Sequence, residues 1–465
     1  NIGELMIILG TNSIKDTGFN VDNSCRFDGS SSSLTKAQGA SPSSNLKGTF
    51  SMWLKKSSTT ADQHFLNVVV DVNNRTFINF TGDQQLQIAQ KDGGSDSFKL
   101  FSNAKFRDPS AWMNLVIAFD TANGTASNRI KVYMNGTQIT SWQIETYPTQ
   151  NRVVNLLDET PISIGAYNNA SNYFDGYMAQ VIHVNNQALT PTSFGEFDED
   201  SGIWKPIDIT GLTVGTNGYF LDFEDASNLG NDASGGTDFT ENNIAATDQS
   251  TDTCTNNFAT LNSLINFNSG VFTEGNLAIT SGDDTVSTIG LTSGRWYWEA
   301  QRTNTTNEAH IGIGVSKGFF SATSVVSSGD RIYVRGGATF VSAVSNLGIL
   351  TFASNSGTPA TISNGDVIGF YLDLESSTKN ITVKKNDGAT PIIDIDLTYS
   401  GEEPIFPFCR MNSGCASSWN FGNPIASLSS ANADANGFGS FEFNPTKGGV
   451  DYFAICTKNL AEYGG

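Results

Sequence analysis

A chain of 465 residues is too long for one hydrophobic core, and at about 100–200 residues per domain it implies two or three domains. Hydrophobic residues make up 38% and charged residues only 15%, so solubility rests on Asn, Ser, Thr and Gly rather than on ion pairs. A formal net charge of -20 argues against nucleic acid and anionic membranes as partners, because both would be repelled, and suits neutral sugars or a protein surface better.

Taken in chain order, the first half is a series of short alternating runs: "TFSMWLKK", "FLNVVVDV", "TFINF", "LQIAQK", "NLVIAFD", "RIKVYMNG", "PISIGAY" and "MAQVIHVN". In "RIKVYMNG" the residues Ile130, Val132 and Met134 fall on one side of an extended chain, and Asn135-Gly136 favours the positive backbone angles of a tight hairpin. Turn-rich segments at regular intervals separate the runs, which is the signature of an antiparallel sandwich. Between about 224 and 270 the pattern collapses into a stretch rich in Asp, Asn, Ser, Thr and Gly, which reads as a linker. A second set follows: "RWYWEA", "AHIGIGV", "RIYVRG", "DVIGFYLDL", "NITVKKN" and "IFPFCRM", with Asp387-Gly388 as a second hairpin signal. Helical periodicity is hard to find, apart from one turn at 192–199. The fold class is therefore all-β, organised as an N-terminal segment over 1–20, a sandwich over 21–223, the linker over 224–270, a second sandwich over 271–425 and a C-terminal extension over 426–465.

The five cysteines, Cys25, Cys254, Cys409, Cys415 and Cys456, are odd in number and scattered, and read as buried free thiols rather than a disulfide framework or a metal site. No run approaches the roughly 18 apolar residues of a membrane span, and "ELMIILG" is too short for a secretory core. The opening Asn in place of Met suggests a processed or partial start.

The run "TFSMWLKK", then "WMNLVIAFDTANGTASNRIKVYMNGTQI" and "PISIGAYNNASNYFDGYMAQVIHVNNQALTPTSF", resembles the laminin-G-like, concanavalin-type jelly roll. The second half resembles a SPRY domain, also a concanavalin-type sandwich, through "GRWYWEA", "HIGIGV", "GDVIGFYLDLES", "PIFPFC" and "WNFG". With the joint "DFTENNIAATDQSTDTCTNNFATLN" and the tail "FAICTKNLAE", the combination is similar to tail-fibre and appendage structural proteins of marine tailed bacteriophages. The resemblance implies two concanavalin-like antiparallel sandwiches in tandem. It also implies a non-enzymatic virion protein that contacts other virion proteins, forms a homo-oligomer with a trimer favoured, and adheres to host-surface glycan. The alternatives are a secreted bacterial carbohydrate-active enzyme or its glycan-binding accessory module, and a purely structural protein.

An enzyme of this fold would need paired carboxylates. The nearest approaches are Asp222 and Glu224 in "LDFEDAS" and Asp198, Glu199 and Asp200 in "FDEDSG", where a solvated edge is the better reading, so no catalytic residue is expected. The histidines His64, His183 and His310 stand far apart beside strand-like runs and read as packed side chains, with no Gly-x-Ser-x-Gly elbow near them. The "RGGATF" stretch follows a strand without a helix signal and is no phosphate loop. Laminin-G-like domains hold calcium in rim loops, which makes Asp120, Asp158 and Asp175 the candidates, although none stands in a ligand run; no other cofactor is expected. Two loops stand out for glycan binding, because aromatic faces stack on sugars and amides meet hydroxyls. They are 138–147 with Trp142 and Tyr147, and 166–176 with Tyr167, Asn168, Asn169, Asn172 and Tyr173. Trp142 and Tyr173 are equally able to pack under their loops, and Trp296 and Trp298 are assigned to the second core.

Overall fold

The computed structural model describes residues 18–37, 44–57, 61–158, 160–265, 270–280, 283–305, 309–315, 329–335, 340–412 and 414–464. The expected N-terminal segment, up to residue 17, and most of "RGGATF", at 336–339, lie outside the described residues. The chain divides into two compact units, one spanning Asp16–Thr255 and the other taking Asn256–Gly465.

The first unit is built from β1 (Ser24–Asp28), β2 (Ser33–Lys36), β3 (Lys47–Lys56), β4 (Gln63–Val69), β5 (Arg75–Phe80), β6 (Gln85–Asp92) and β7 (Ser95–Lys105). It continues through β8 (Met113–Asp120), β9 (Ile130–Met134), β10 (Thr137–Gln138), β11 (Trp142–Thr146), β12 (Ile162–Ile164) and β13 (Asp175–Asn185). Short strands complete it: β14 (Gly195–Phe197), β15 (Trp204–Pro206), β16 (Tyr219–Leu221), β17 (Thr240–Asn242) and β18 (Gln249–Ser250). One sheet has the order β10-β9-β8-β3-β13-β1-β18, with β16 also pairing β13, and the other has the order β11-β7-β6-β5-β4-β12-β2-β17. All the ladders are antiparallel, and Phe50, Met52 and Leu54 of β3 meet Phe65, Ile78, Ile88 and Leu100 of the facing sheet in one buried core. This is the antiparallel sandwich the alternating runs imply, and the concanavalin-like jelly roll the resemblance implies.

The hairpin read from "RIKVYMNG" is present: Ile130 and Val132 are buried, Met134 packs against the core, and Asn135 and Gly136 have φ of 48° and 74°. In the second half the left-handed pair is Asn386 and Asp387, at 47° and 49°, one residue earlier than Asp387-Gly388, and the Gly388 amide closes the turn onto the Lys385 carbonyl at 2.9 Å. The expected helical turn at 192–199 is a single 3-10 turn at Pro191–Ser193.

The polar stretch expected as a linker is folded instead. Residues 224–255 belong to the first unit, where β17 pairs β2 and β18 pairs β1, so that they extend both sheets. Leu229 and Phe239 are buried in the core of that unit, and three ion pairs add to their hold: Lys36–Asp232 at 2.9 Å, Arg26–Asp248 at 3.0 Å and Lys55–Asp252 at 2.6 Å.

The second unit contains β19 (Val271–Thr273), β20 (Ala278–Thr280), β21 (Asp283–Val286), β22 (Arg295–Thr305), β23 (Ala309–Val315), β24 (Arg331–Arg335) and β25 (Phe340–Val344). There follow β26 (Leu350–Phe352), β27 (Val367–Asp373), β28 (Lys379–Lys385), β29 (Ile393–Tyr399), β30 (Ile405–Met411) and β31 (Cys415–Asn420). Its sheets run β19-β20-β31-β22-β27-β28-β29-β26 and β21-β30-β23-β24-β25. Trp296 and Trp298 are fully buried between them, as assigned, and Trp298 stacks on Phe370 with centroids 5.0 Å apart. A side chain at Gly312 would stand 2.0 Å from the Ile332 carbonyl oxygen, so the neighbouring strand's close approach depends on glycine there.

The C-terminal residues do not trail from this sandwich as an extension. Phe441, Tyr452 and Ala454 cover Tyr297 and Tyr371 on the far face of β22 and β27, and the Tyr297 amide donates to the Phe453 carbonyl at 2.9 Å. Helix α1 (Thr457–Tyr463) follows and seats Leu460 in the core. Among the described cysteines, Cys25, Cys409, Cys415 and Cys456 are buried thiols, whereas Cys254 is half-buried.

Candidate functional site

The Asn-rich loop between β12 and β13 is positioned by one buried side chain. Asn67, inside β4, donates from its amide to the Ala166 carbonyl at 2.6 Å and accepts from the Asn168 backbone amide at 3.0 Å. Its burial leaves those two bonds no water to compete with them. The loop then turns on itself, with Asn168 and Asn169 at φ of 52° and 53°, the Tyr167 amide bonded to the Ser171 carbonyl at 2.8 Å, and Asn172 at 49° passing its carbonyl to the His64 amide at 2.9 Å. Asparagine tolerates this left-handed region better than other non-glycine residues, which explains the composition of the loop. Phe174 anchors the return under the loop, edge-on to Phe27 and Phe65.

The side chains divide accordingly. Tyr167 packs edge-on to His64 at 4.9 Å, with the Arg75 guanidinium 5.9 Å from its ring centre, and Asn169 accepts from the Ser33 hydroxyl. Burial pushes the His64 imidazole down to about 4, so it is neutral at physiological pH. Asn168 and Asn172 are exposed and Tyr173 is half-buried, and among the described residues none of these three side chains makes a hydrogen bond. At the same rim the Asp28 carboxylate gathers the amides of Ser30, Ser31 and Ser32 at 2.8–2.9 Å. Burial acts to raise its pKa, but these bonds and the serine hydroxyls hold it well below the usual carboxylate range.

The two expected glycan loops do not converge. Trp142 begins β11, the edge strand of its sheet, five strands from β12, or about 24 Å at the usual strand spacing. Trp142 and Tyr147 both pack against the core, and the Tyr147 hydroxyl donates to Glu145 at 3.0 Å. Of the two readings left open for Trp142, packing is the one observed.

The calcium candidates are also divided. Asp120 lies opposite Lys47 at the start of β3, whereas Asp175 precedes Gly176, which lies opposite Lys56 at its end, about 30 Å away. Asp120 pairs with Lys47 at 3.3 Å, Asp158 follows the 3-10 turn Asn155–Leu157, and Asp175 is buried. Among the described residues no group of three or more metal-ligating side chains forms.

The carboxylates weighed for catalysis are turn-formers. Asp222 accepts the Glu224 amide at 3.1 Å, and Asp198 accepts the Ser201 amide at 2.9 Å while pairing with Lys205 at 3.2 Å. His183 is buried, stacked on Phe50 at 4.3 Å, and His310 stacks on Tyr333 at 4.3 Å, so the histidines are packed side chains.

One carboxylate that the sequence reading passed over is Glu299, on β22 in the second unit. It lines a cavity of about 400 Å³ together with Gln301, Asn386, Trp419 and Glu442. Tyr297, Asn420 and the amides of Glu442 and Phe443 all donate to it, at 2.9, 3.2, 3.0 and 2.8 Å. These four bonds fasten the C-terminal segment to the sheet, and burial raises the carboxyl's pKa in spite of them. The signal was the lone Glu in "RWYWEA", the only acidic residue in that run.

Residues 28–193 match the family model for the concanavalin A-like lectin/glucanases superfamily, described as Laminin_G_3. Among solved structures, the chain is similar to domains LG4-5 of the mouse laminin alpha1 chain, at 11% identity and a TM-score of 0.30, over 96% of this chain and 90% of that one. It is similar to the SPRY domain of human HERC1 at 16% identity and a TM-score of 0.22, over 31% and 87%. A third likeness is to the heptameric SAP-like pentraxin of Limulus polyphemus, at 14% identity and a TM-score of 0.28, over 37% and 80%. No curated protein matches the chain.

Proposed function

We propose that the chain is a non-catalytic glycan-adhesion protein, with the loop 166–174 of the first unit as its contact surface. The observation that carries this reading is that a buried asparagine holds the loop's backbone while Asn168, Asn172 and Tyr173 are left without hydrogen-bond partners among the described residues. Amides supply both donors and acceptors to sugar hydroxyls, a tyrosine ring supplies a face for C–H groups, and a pre-ordered loop loses little entropy on binding. The match of residues 28–193 to a lectin and glucanase superfamily supports the same reading. The likeness of the joint and tail segments to phage appendage proteins supports placing the chain on a tailed-phage particle, as a homo-oligomer with a trimer favoured, in contact with other virion proteins. There, loop contacts of about millimolar strength would add through repeated copies to useful avidity.

The test is retention of the multimerised chain on an array of neutral and acidic oligosaccharides. Asn168→Gly and Asn172→Gly keep the left-handed backbone and remove only the amides, Tyr173→Ala removes the ring, and Trp142→Ala serves as comparator. Loss of retention of about tenfold in the loop variants, with Trp142→Ala unchanged, is the expected result. Failure of the unaltered chain to bind any sugar on the array would overturn the reading and leave a structural role.

A further inference from the structure

The central strand β13 changes partners along one edge. Residues 175–178 pair with β1 and residues 181–183 pair with β16, while the other edge stays on β3. At the changeover the strand bulges, with an extra residue between Ala179 and Ile182, and Gln180 takes φ of 45°. A left-handed non-glycine residue inside a strand carries backbone strain, and bulges of this kind redirect side chains.

The fork between β1 and β16 opens a cavity of about 440 Å³ on the face away from the sandwich core. Ile182, Leu212, Val214 and Phe220 line it with apolar surface. Gln180 also lines it, is only 4% exposed, and makes no side-chain hydrogen bond among the described residues. With no protein partner among the described residues, that amide is available to bond a ligand in the cavity. Asp22, Asp222 and Glu224 stand at the same cavity, and among the described residues no Lys or Arg lines it and none of the three carboxylates has an ion-pair partner.

We propose that this cavity is a binding site for a small organic ammonium ion with an apolar body. The apolar body would lie on Ile182 and Phe220, the ammonium group would face the carboxylates, and the Gln180 amide would bond to a polar group of the ligand. Its volume falls within the range of small-molecule sites. The site lies apart from the Asn-rich loop and does not depend on glycan binding.

The test is calorimetric titration of the full chain with 2-phenylethylammonium chloride and with its neutral counterpart 2-phenylethanol at low salt. The ammonium probe should bind about tenfold more tightly, and the preference should shrink in about 0.5 M NaCl, where charges are screened. Asp222→Asn combined with Glu224→Gln alters only the solvent-facing rim and should cut the preference to what Asp22 alone supplies, about twofold to threefold. Gln180→Gly, which fits the left-handed backbone and retains the bulge, should weaken binding of both probes. Asp158→Asn should change nothing. Equal affinity for the two probes, no heat from the ammonium probe at millimolar concentration, or binding unaltered in both the rim and Gln180 variants would overturn the proposal.

Discussion

Lys55 and Asp252 form an ion pair sealed inside the first unit, Nζ to Oδ2 at 2.6 Å, with both side chains no more than 1% exposed. Trp112 donates its indole N–H to the other carboxylate oxygen at 2.9 Å. Burial lowers the lysine's pKa and the facing carboxylate opposes that shift. Removing one partner strands the other charge in a medium that cannot solvate it. Asp252→Ala is therefore expected to destabilise the first unit by about 3–5 kcal/mol, measured as a shift of its urea transition. Truncation after residue 223 should fail for the same reason, and a stable, cooperatively melting 18–223 fragment would contradict this account.

Gly176, second residue of the central strand, has φ of 145°, and a methyl group there would stand 2.1 Å from the Lys55 carbonyl oxygen in the β3–β13 ladder. Neither strand can retreat without opening the core beneath Met178 and Leu54. Gly176→Ala should cost about 3 kcal/mol or more, combining backbone strain with a lost ladder contact, and should lower the thermal midpoint of the first unit. Gly93→Ala makes the control: it also has positive φ, but nothing stands within 4 Å of its added methyl. Equal effects of the two substitutions would show that the crowding at Gly176 is immaterial.

Strands with one buried face, such as β9 with Ile130 and Val132, were legible as alternation, whereas β3, β13 and β23 are buried along nearly their whole length and were legible as short apolar runs between turn signals. The segment 224–255 was misread because its two core anchors, Leu229 and Phe239, are isolated apolar residues without a period, and the rest of its hold comes from Asp232, Asp248 and Asp252 reaching Lys36, Arg26 and Lys55 roughly two hundred residues away. The Asn-rich loop could be found from composition. That Trp142 stands five strands from it could not, because strand order within a sheet is a long-range property. Gln180 was hidden in "MAQVIHVN", where a polar residue reads as an ordinary outward position, and only the partner change of β13 exposes the cavity.

Asn67 tests whether the loop is held or merely present. Asn67→Ala leaves the Asn168 amide without its partner and the Ala166 carbonyl with the Ser163 hydroxyl alone, at an expected cost of about 2 kcal/mol. More telling than the stability change is its location. Hydrogen exchange of residues 166–174 should accelerate well before that of β4 itself, because the loop's own bonds, such as Phe174 to Gly165 at 2.8 Å, then bear the fold alone. Unchanged protection across the loop would mean that Phe174, seated in the core, is sufficient to hold it.

Acidification is expected to move the two units in opposite directions. In the first unit burial holds His183 and His64 down to about 4, against an ordinary value of 6.5. Between these values the unfolded chain binds more protons than the folded one, so stability falls as the pH falls, by on the order of 3 kcal/mol for His183 by pH 4. In the second unit burial raises Glu299 above its ordinary 4.5 despite four hydrogen bonds that act to lower it. The folded state therefore keeps its proton at a pH where the unfolded state has released it. That contribution is complete below 4.5 and is lost as the pH rises through the raised value. Pulsed hydrogen exchange after equilibration in urea, with every pulse at one fixed pH, separates β13 from β22 and reads each unit's midpoint. His183→Phe, which preserves the stack on Phe50, should flatten the dependence of the first unit, and Glu299→Gln that of the second. If neither variant changes its unit's slope between pH 4.5 and 6.5, these groups do not govern the pH response.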